Sequence, residues 1–331
     1  MNRVLIAPAP MKEIEPVYGP LLRSAGFELV FPKKNAQLTE DELLEQLSGC
    51  VASLAGSEPY TPRVIAACAP KGLKVISRAG VGYDGINLAA ATEHGVVATI
   101  AVGSNHNAVA EHAFMLMLAL VKNLIPQHNL TVAGKWPRKA NQSLRGKTLG
   151  IAGVGRIGKR VAQIAKAFDL RPIGYDPYPD RAFFAKENLP LVSLEELLRE
   201  SDILTLHMPL TPDSRNFIRA ETIAKMKPTA YLLNTARGGI VDEPALAEAL
   251  LAKRLAGAAI DVFEDEPVPA TNPLFACTNA AFTAHTAGVD MKSRDDMALF
   301  AAQAIVKLLG GEWPEEWVLN PEVRAKFASH N

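Results

Sequence analysis

Chemically capable side chains stand just past short apolar runs in the second half of the sequence. His207 follows Ile203-Leu204-Thr205-Leu206, and Arg237 comes after Tyr231-Leu232-Leu233-Asn234 and the pair Thr235-Ala236. Asp261 follows Ala258-Ala259-Ile260 with Glu266 beyond it, and His285 comes after Ala281-Phe282-Thr283 and Ala284. If these runs are parallel strands, their carboxyl ends share one sheet edge, which is where such sheets bind ligands. Histidine ordinarily titrates near neutrality, so His285 is the acid/base candidate; a carboxylate against it, the role given to Glu266, orients the ring and favours its charged form. Arg237, followed by Gly238 and Gly239 that leave room for a ligand, offers a bidentate clamp for a carboxylate and its neighbouring carbonyl.

The pattern G-x-G-x-x-G occurs twice and is weak by itself. The second copy, Gly153, Gly155 and Gly158, follows the run Leu149–Ala152 and opens a stretch with Ile157, Val161, Ile164 and Phe168 at helical spacing. Asp176 ends the next apolar run about 20 residues after the second glycine, the offset of an acid that binds adenosine ribose. Glycines there let the backbone approach a pyrophosphate at a helix N-terminus, and an acid facing the 2′-hydroxyl disfavours a 2′-phosphate, so the expected cofactor is NAD. Arg181 lies close by in sequence. With a dinucleotide at this edge, the trio suits hydride transfer at a hydroxyl-bearing carbon next to a carboxylate. His207, with Met208 and Pro209, is assigned to the cofactor wall, and Thr235 and Ala236 are cofactor-side candidates at the neighbouring run.

The first copy, Gly80, Gly82 and Gly85, precedes a short helix at Asn87–His94 and a run ending Thr99-Ile100-Ala101 without an acid. It is expected to be a backbone nest. Arg78, Val81 and Gly82, joined by Ser57 after an earlier run, are candidates for holding a small carboxylate, with Arg237 the further substrate-binding residue. His94, His106, His112 and His128 show no metal-ligand spacing, so no metal is expected.

Positioning these groups requires alternating strands and helices. Runs at Val4–Ile6, Cys50–Ala52, Lys74–Ser77 and Val96–Thr99 form one α/β series. Those at Thr148–Ala152, Pro172–Tyr175, Ile203–Leu206, Tyr231–Asn234, Ala258–Ile260 and Ala281–Thr283 form another. Between them, about 108–125 reads as one long apolar helix, followed by a turn-rich segment with Gly134, Trp136, Pro137 and Gly146. A last helix spans about 292–309. The expected organisation is two doubly wound parallel-sheet domains: a flavodoxin-like substrate domain of residues 1–102 plus 289–331, and a Rossmann cofactor domain of residues 103–288 inserted in it.

The 331 residues suffice for two such cores. Lys+Arg and Asp+Glu both number 35, leaving no basic excess for general nucleic-acid binding. Cys50, Cys68 and Cys277 lack disulfide or zinc spacing and suit a reducing cytoplasm. No signal-peptide core is read at the N-terminus, and the apolar run Ala113–Val121 is far short of a membrane span.

These motifs resemble the D-isomer-specific 2-hydroxyacid dehydrogenases, most closely their phosphoglycerate-dehydrogenase-like branch. The resemblance rests on RAGVGYDGIN (78–87), NAVAEH (107–112), LGIAGVGRIG (149–158), NTARGGIVDE (234–243), DVFEDEP (261–267) and TAHTAG (283–288). It implies that Arg237 binds substrate, that Glu266 and His285 are the acid/base pair, and that Asp261 holds the nicotinamide carboxamide. It implies further that Arg156 and Ile157 touch the pyrophosphate, that Gly288 joins the cofactor set, and that a homodimer forms through the cofactor domain by the helix after Asn107 and the Trp136 segment.

Two departures bear on substrate. Ala284 stands where the family usually has proline, and the segment Leu54–Glu58 lacks the arginine that animal-type phosphoglycerate enzymes use for phosphate. The chain also ends without the regulatory domains of longer relatives, so serine feedback is not expected. The reaction expected is NAD-dependent interconversion of a small D-2-hydroxyacid and its 2-oxoacid, 3-phosphoglycerate being the first candidate and hydroxypyruvate or glyoxylate the alternative. A different class, an NADH-sensing binding protein similar to the C-terminal binding protein corepressors, shares the trio but carries long disordered tails.

Overall fold

A computed structural model describes residues 2–329. Its contacts divide into two units, one running to Asn105 and resuming at Asp290, the other His106–Val289.

The first unit contains a parallel sheet of β1 (Asn2–Ile6), β2 (Phe27–Val30), β3 (Ala52–Ala55), β4 (Val75–Arg78) and β5 (Val97–Ile100), ordered β2-β1-β3-β4-β5, the flavodoxin-like order. Both faces are covered, which is why its strands read as apolar runs rather than as alternation. Val4 and Ile6 face a cluster with Tyr18, Met297, Ala301 and Ile305, while Leu5 faces Leu43, Leu47 and Val64. The helix Met291–Leu309 thus supplies core to the sheet that begins the chain.

Two strands of this sheet depart from the expected pattern. β2 escapes the sequence reading because Glu28 interrupts its four residues, tolerable on an edge strand that pairs only with β1. β3 begins at Ala52 rather than Cys50, because the Cys50 N–H is spent on Leu47 O, closing the preceding helix.

The second unit's sheet holds β6 (Thr148–Ala152), β7 (Arg171–Tyr175), β8 (Ile203–Leu206), β9 (Tyr231–Asn234), β10 (Gly257–Ile260) and β11 (Ala280–Phe282), ordered β11-β10-β9-β8-β6-β7 and parallel throughout. A lone parallel bridge from Gly174 to Leu191 flanks β7 where the usual dinucleotide-binding order has its third strand. The sequence winds away in opposite directions from β6 and β8, and that switch point is where ligands bind in such sheets.

The single helix expected over 108–125 is two: His106–Val121 and Leu124–Val132, with axes 59° apart. Asn123 separates them in the left-handed region at φ +51°, a conformation asparagine tolerates and a helix does not. Among the described residues no single helix is long and apolar enough to cross a membrane.

Candidate active site

The glycine turn after β6 has a distinct steric reason at each position. Gly153 sits at φ +88°, and a Cβ on it would lie 2.7 Å from the His207 carbonyl carbon. A Cβ on Gly158 would lie 2.1 Å from Gly153 O, so the helix Arg156–Ala167 can meet the turn only without a side chain there. At Gly155, the N-cap, a Cβ would meet nothing within 4 Å, leaving approach to the helix N-terminus open. Arg156 is exposed and Ile157 half-buried. Asp176, just past β7, accepts from Val154 N and Tyr178 N, each at 2.8 Å, and each oxygen retains lone-pair capacity for a ribose hydroxyl.

Two buried polar atoms test whether a dinucleotide fits beside that turn. His207 Nδ1 and Thr235 Oγ1, just past β8 and β9, lack hydrogen-bond partners although both are sealed from solvent. Such groups are costly unless something completes them, so the donor set and the glycine cradle fit NAD. Met208 and Pro209 continue from His207, and Ala236 from Thr235, along the same edge.

Burial pushes the His207 pKa down from 6.5 to about 3, while its Nε2 pairs with Thr205 Oγ1 at 2.9 Å. His207 is therefore neutral in the folded protein at physiological pH. Because its ordinary value applies once the chain unfolds, its contribution is present above pH 6.5 and is lost as pH falls toward 3. Urea midpoints at pH 7.5 and pH ~5 should fall further for the wild type than for His207→Gln; equal falls would exclude this burial as a source of acid sensitivity.

His285 and Glu266 meet: Nδ1 lies 2.7 Å from Glu266 Oε2. A carboxylate only accepts, so Nδ1–H donates, and in the neutral ring Nε2 is the proton acceptor. Glu266 Oε1 accepts from Phe263 N at 3.0 Å, fixing the carboxylate between ring and backbone. His285 itself stands at φ +52°, a strained setting for a residue with a side chain.

Arg237 lies one loop over, past β9, and donates from Nη1 to Ala236 O at 2.7 Å. The loop is braced by Asn234, whose Oδ1 accepts from Ala236 N and whose Nδ2 donates to Arg237 O. Gly238 packs where a Cβ would fall 1.9 Å from the Phe263 carbonyl carbon, so the arginine loop rests on the segment leading to Glu266. Asp261 is fully buried; Oδ1 accepts from Thr283 Oγ1 (2.6 Å) and Thr286 N (2.9 Å), and Oδ2 from Ala287 N (3.0 Å). Three protein donors thus occupy the carboxylate assigned to the carboxamide. Gly288 follows on the same loop.

The other substrate-binding candidates lie on the first unit's own sheet edge. Arg78 donates to Ala79 O and Gly82 O and reaches Ser57 Oγ at 3.4 Å, while Val81 is half-buried. Glu58, buried beside Arg78, accepts from Gly56 N at 2.6 Å, and desolvation pushes its carboxyl pKa up.

Glu243 is a supporting residue that sequence spacing did not single out. Buried at the start of the helix Glu243–Leu251, it accepts from Glu264 N and Asn272 Nδ2 and so anchors the loop bearing Glu266. Its sequence neighbour Asp242 caps the same helix through Ala245 N, and residue type alone gave no signal of which of the two carboxylates would turn toward that loop. Among the described residues no group of His, Cys, Asp and Glu could hold a metal ion.

Residues 114–287 match the family model described as D-isomer specific 2-hydroxyacid dehydrogenase, NAD binding domain. The chain is 41% identical over 290 residues to a D-3-phosphoglycerate dehydrogenase of Methanocaldococcus jannaschii, covering 86% of this chain and 55% of that protein. It is 36% identical over 304 residues to a glyoxylate reductase of Korarchaeum cryptofilum, covering 90% and 91%. A solved structure from Thermus thermophilus superposes with TM-score 0.86 at 34% identity over 96% of this chain and 100% of that one. The chain spans about half the length of the phosphoglycerate dehydrogenases it matches.

Proposed function

Because the chain belongs to the D-isomer-specific 2-hydroxyacid dehydrogenase family, we propose that it interconverts a small D-2-hydroxyacid and its 2-oxoacid with NAD as cofactor. The observation that carries this reading is the 2.7 Å His285–Glu266 pair on the sheet edge that also bears the glycine turn. A bound NAD would supply the hydride acceptor or donor at this edge. In the oxidative direction His285 Nε2 takes the hydroxyl proton, and Glu266 offsets the charge the ring gains. In reduction the charged ring returns that proton to the forming hydroxyl. Arg237 holds the carboxylate and polarises the carbonyl. Gly153, Gly155, Arg156, Ile157 and Gly158 would hold the pyrophosphate, Asp176 the ribose, and His207, Met208, Pro209, Thr235, Ala236, Asp261 and Gly288 the remaining wall.

Within this class 3-phosphoglycerate is the candidate suggested by some relatives' names, and glyoxylate by others'. One observation favours an unphosphorylated acid: Arg78 is the guanidinium of its loop and the buried Glu58 carboxyl already stands beside it, so a single carboxylate suits that loop better than a phosphate dianion. Ser57, Arg78, Val81 and Gly82 remain substrate-binding candidates for a small carboxylate. NADH oxidation measured with 3-phosphohydroxypyruvate, hydroxypyruvate and glyoxylate separates the candidates; inertness of all three at high enzyme concentration would overturn the proposal as framed.

The same reading proposes a homodimer through the second unit, where Met115, Leu124, Ile125 and Trp136 are exposed. It also proposes a reducing cytoplasmic setting for the three buried free thiols. Replacing Asp176 with alanine should narrow the NAD-over-NADP ratio of kcat/KM by about tenfold or more. An unchanged ratio would place the ribose acid elsewhere.

A further inference from the structure

His112 has no part in the mechanism above, yet it is tied to the loop that aims His285. It lies on the helix His106–Val121, which packs across β9, β10 and β11. Its Nε2 is 3.0 Å from Thr283 Oγ1 and 3.6 Å from Asp261 Oδ1. Thr283 has one hydroxyl proton, and the 2.6 Å contact gives it to Asp261, a buried carboxylate that can only accept. The threonine oxygen must therefore accept from His112, so His112 Nε2 carries a proton. The direction of the chain is fixed: His112 to Thr283 to Asp261.

Asp261 in turn grips the segment 283–287 at four points. Its carboxylate takes the Thr283 hydroxyl and the N–H groups of Thr286 and Ala287, while its backbone oxygen accepts from His285 N at 2.7 Å. At the centre of that grip His285 is held in the left-handed region, which a residue with a side chain keeps only when its surroundings enforce it. A fully buried carboxylate also depends on every donor it has, because each one lost leaves charge uncompensated.

We propose that His112 is a positioning residue for the reaction: by donating through Thr283 it fixes Asp261, and with it the backbone that points His285 at the substrate. This rests on His285 being the acid/base group. The relay acts on where that ring stands and leaves its Glu266 partner untouched.

The test compares His112→Leu and His112→Gln in the full chain, with the oxoacids above as substrates and NADH affinity read by fluorescence titration. Displacing a reacting group by ~1 Å can cost about a hundredfold, so His112→Leu should lower kcat about ten- to a hundredfold while NADH affinity stays within about threefold. His112→Gln, which can place an N–H toward Thr283, should recover most of that loss. The proposal is overturned if His112→Leu keeps full kcat, if leucine and glutamine variants are equally slow, or if NADH affinity falls in proportion to kcat. Should His112→Leu not fold, Thr283→Val breaks the chain at its second link and must show the same loss; full kcat there overturns the proposal equally. His285→Ala is measured alongside. Full turnover without His285 would defeat the acid/base reading, whereas an inactive His285→Ala beside unimpaired His112 variants would defeat the relay alone.

Discussion

His285→Ala is expected to lower turnover by two to four orders of magnitude, the usual contribution of a positioned acid or base, with NADH affinity within about threefold of wild type. The separation follows from the geometry. The imidazole is bonded to Glu266 and is itself exposed, and the glycine turn and Asp176 lie at the ends of β6 and β7, on other strands. Removing an exposed ring should also leave the thermal midpoint nearly unchanged. Stopped-flow single turnovers beside fluorescence titration of NADH separate the two effects. Loss of cofactor affinity in step with turnover would move His285 into the cofactor wall.

Arg237→Gln should reduce kcat/KM for the oxoacid by about two to four orders of magnitude, since two charge-assisted hydrogen bonds at 1.5–3 kcal/mol each are removed from a developing oxyanion and its carboxylate. Arg237→Lys keeps the charge but loses the planar fork, so its expected loss is still about a hundredfold. Folding should survive both changes. Asn234 braces the loop through backbone atoms, and Gly238 sets its packing on Phe263, so neither support depends on the guanidinium. Steady-state kinetics decide it; a lysine variant with wild-type kcat/KM would show that only charge is needed at this position.

Parallel strands covered on both faces announce themselves as apolar runs, and β6, β8 and β9 begin and end where those runs do. Edge positions do not: β2 carries a glutamate because one of its edges is unpaired. The break at Asn123 was hidden for another reason, since apolar composition on both sides favours helix and only the backbone dihedral of one residue interrupts it. At the site, residues just past strands could be picked out because topology puts them on one edge. Glu243 and His112 could not, because each acts through a hydrogen bond to a distant element, and no periodicity in the chain encodes that. Spacing likewise could not reveal that Asp261 spends its carboxylate on Thr283, Thr286 and Ala287.

The first unit is assembled from two stretches of chain, one on either side of the second unit in sequence, and this constrains how it can be made. Met297, Ala301, Ile305 and Leu308 complete the face formed by Val4, Ile6, Tyr18 and Leu54. On the ribosome the opening strands emerge early, but their cover is translated only after the whole of the second unit. A nascent chain halted before Met291 has only Ile14, Tyr18 and Leu22 to cover part of that surface, whereas the second unit already has every strand it needs.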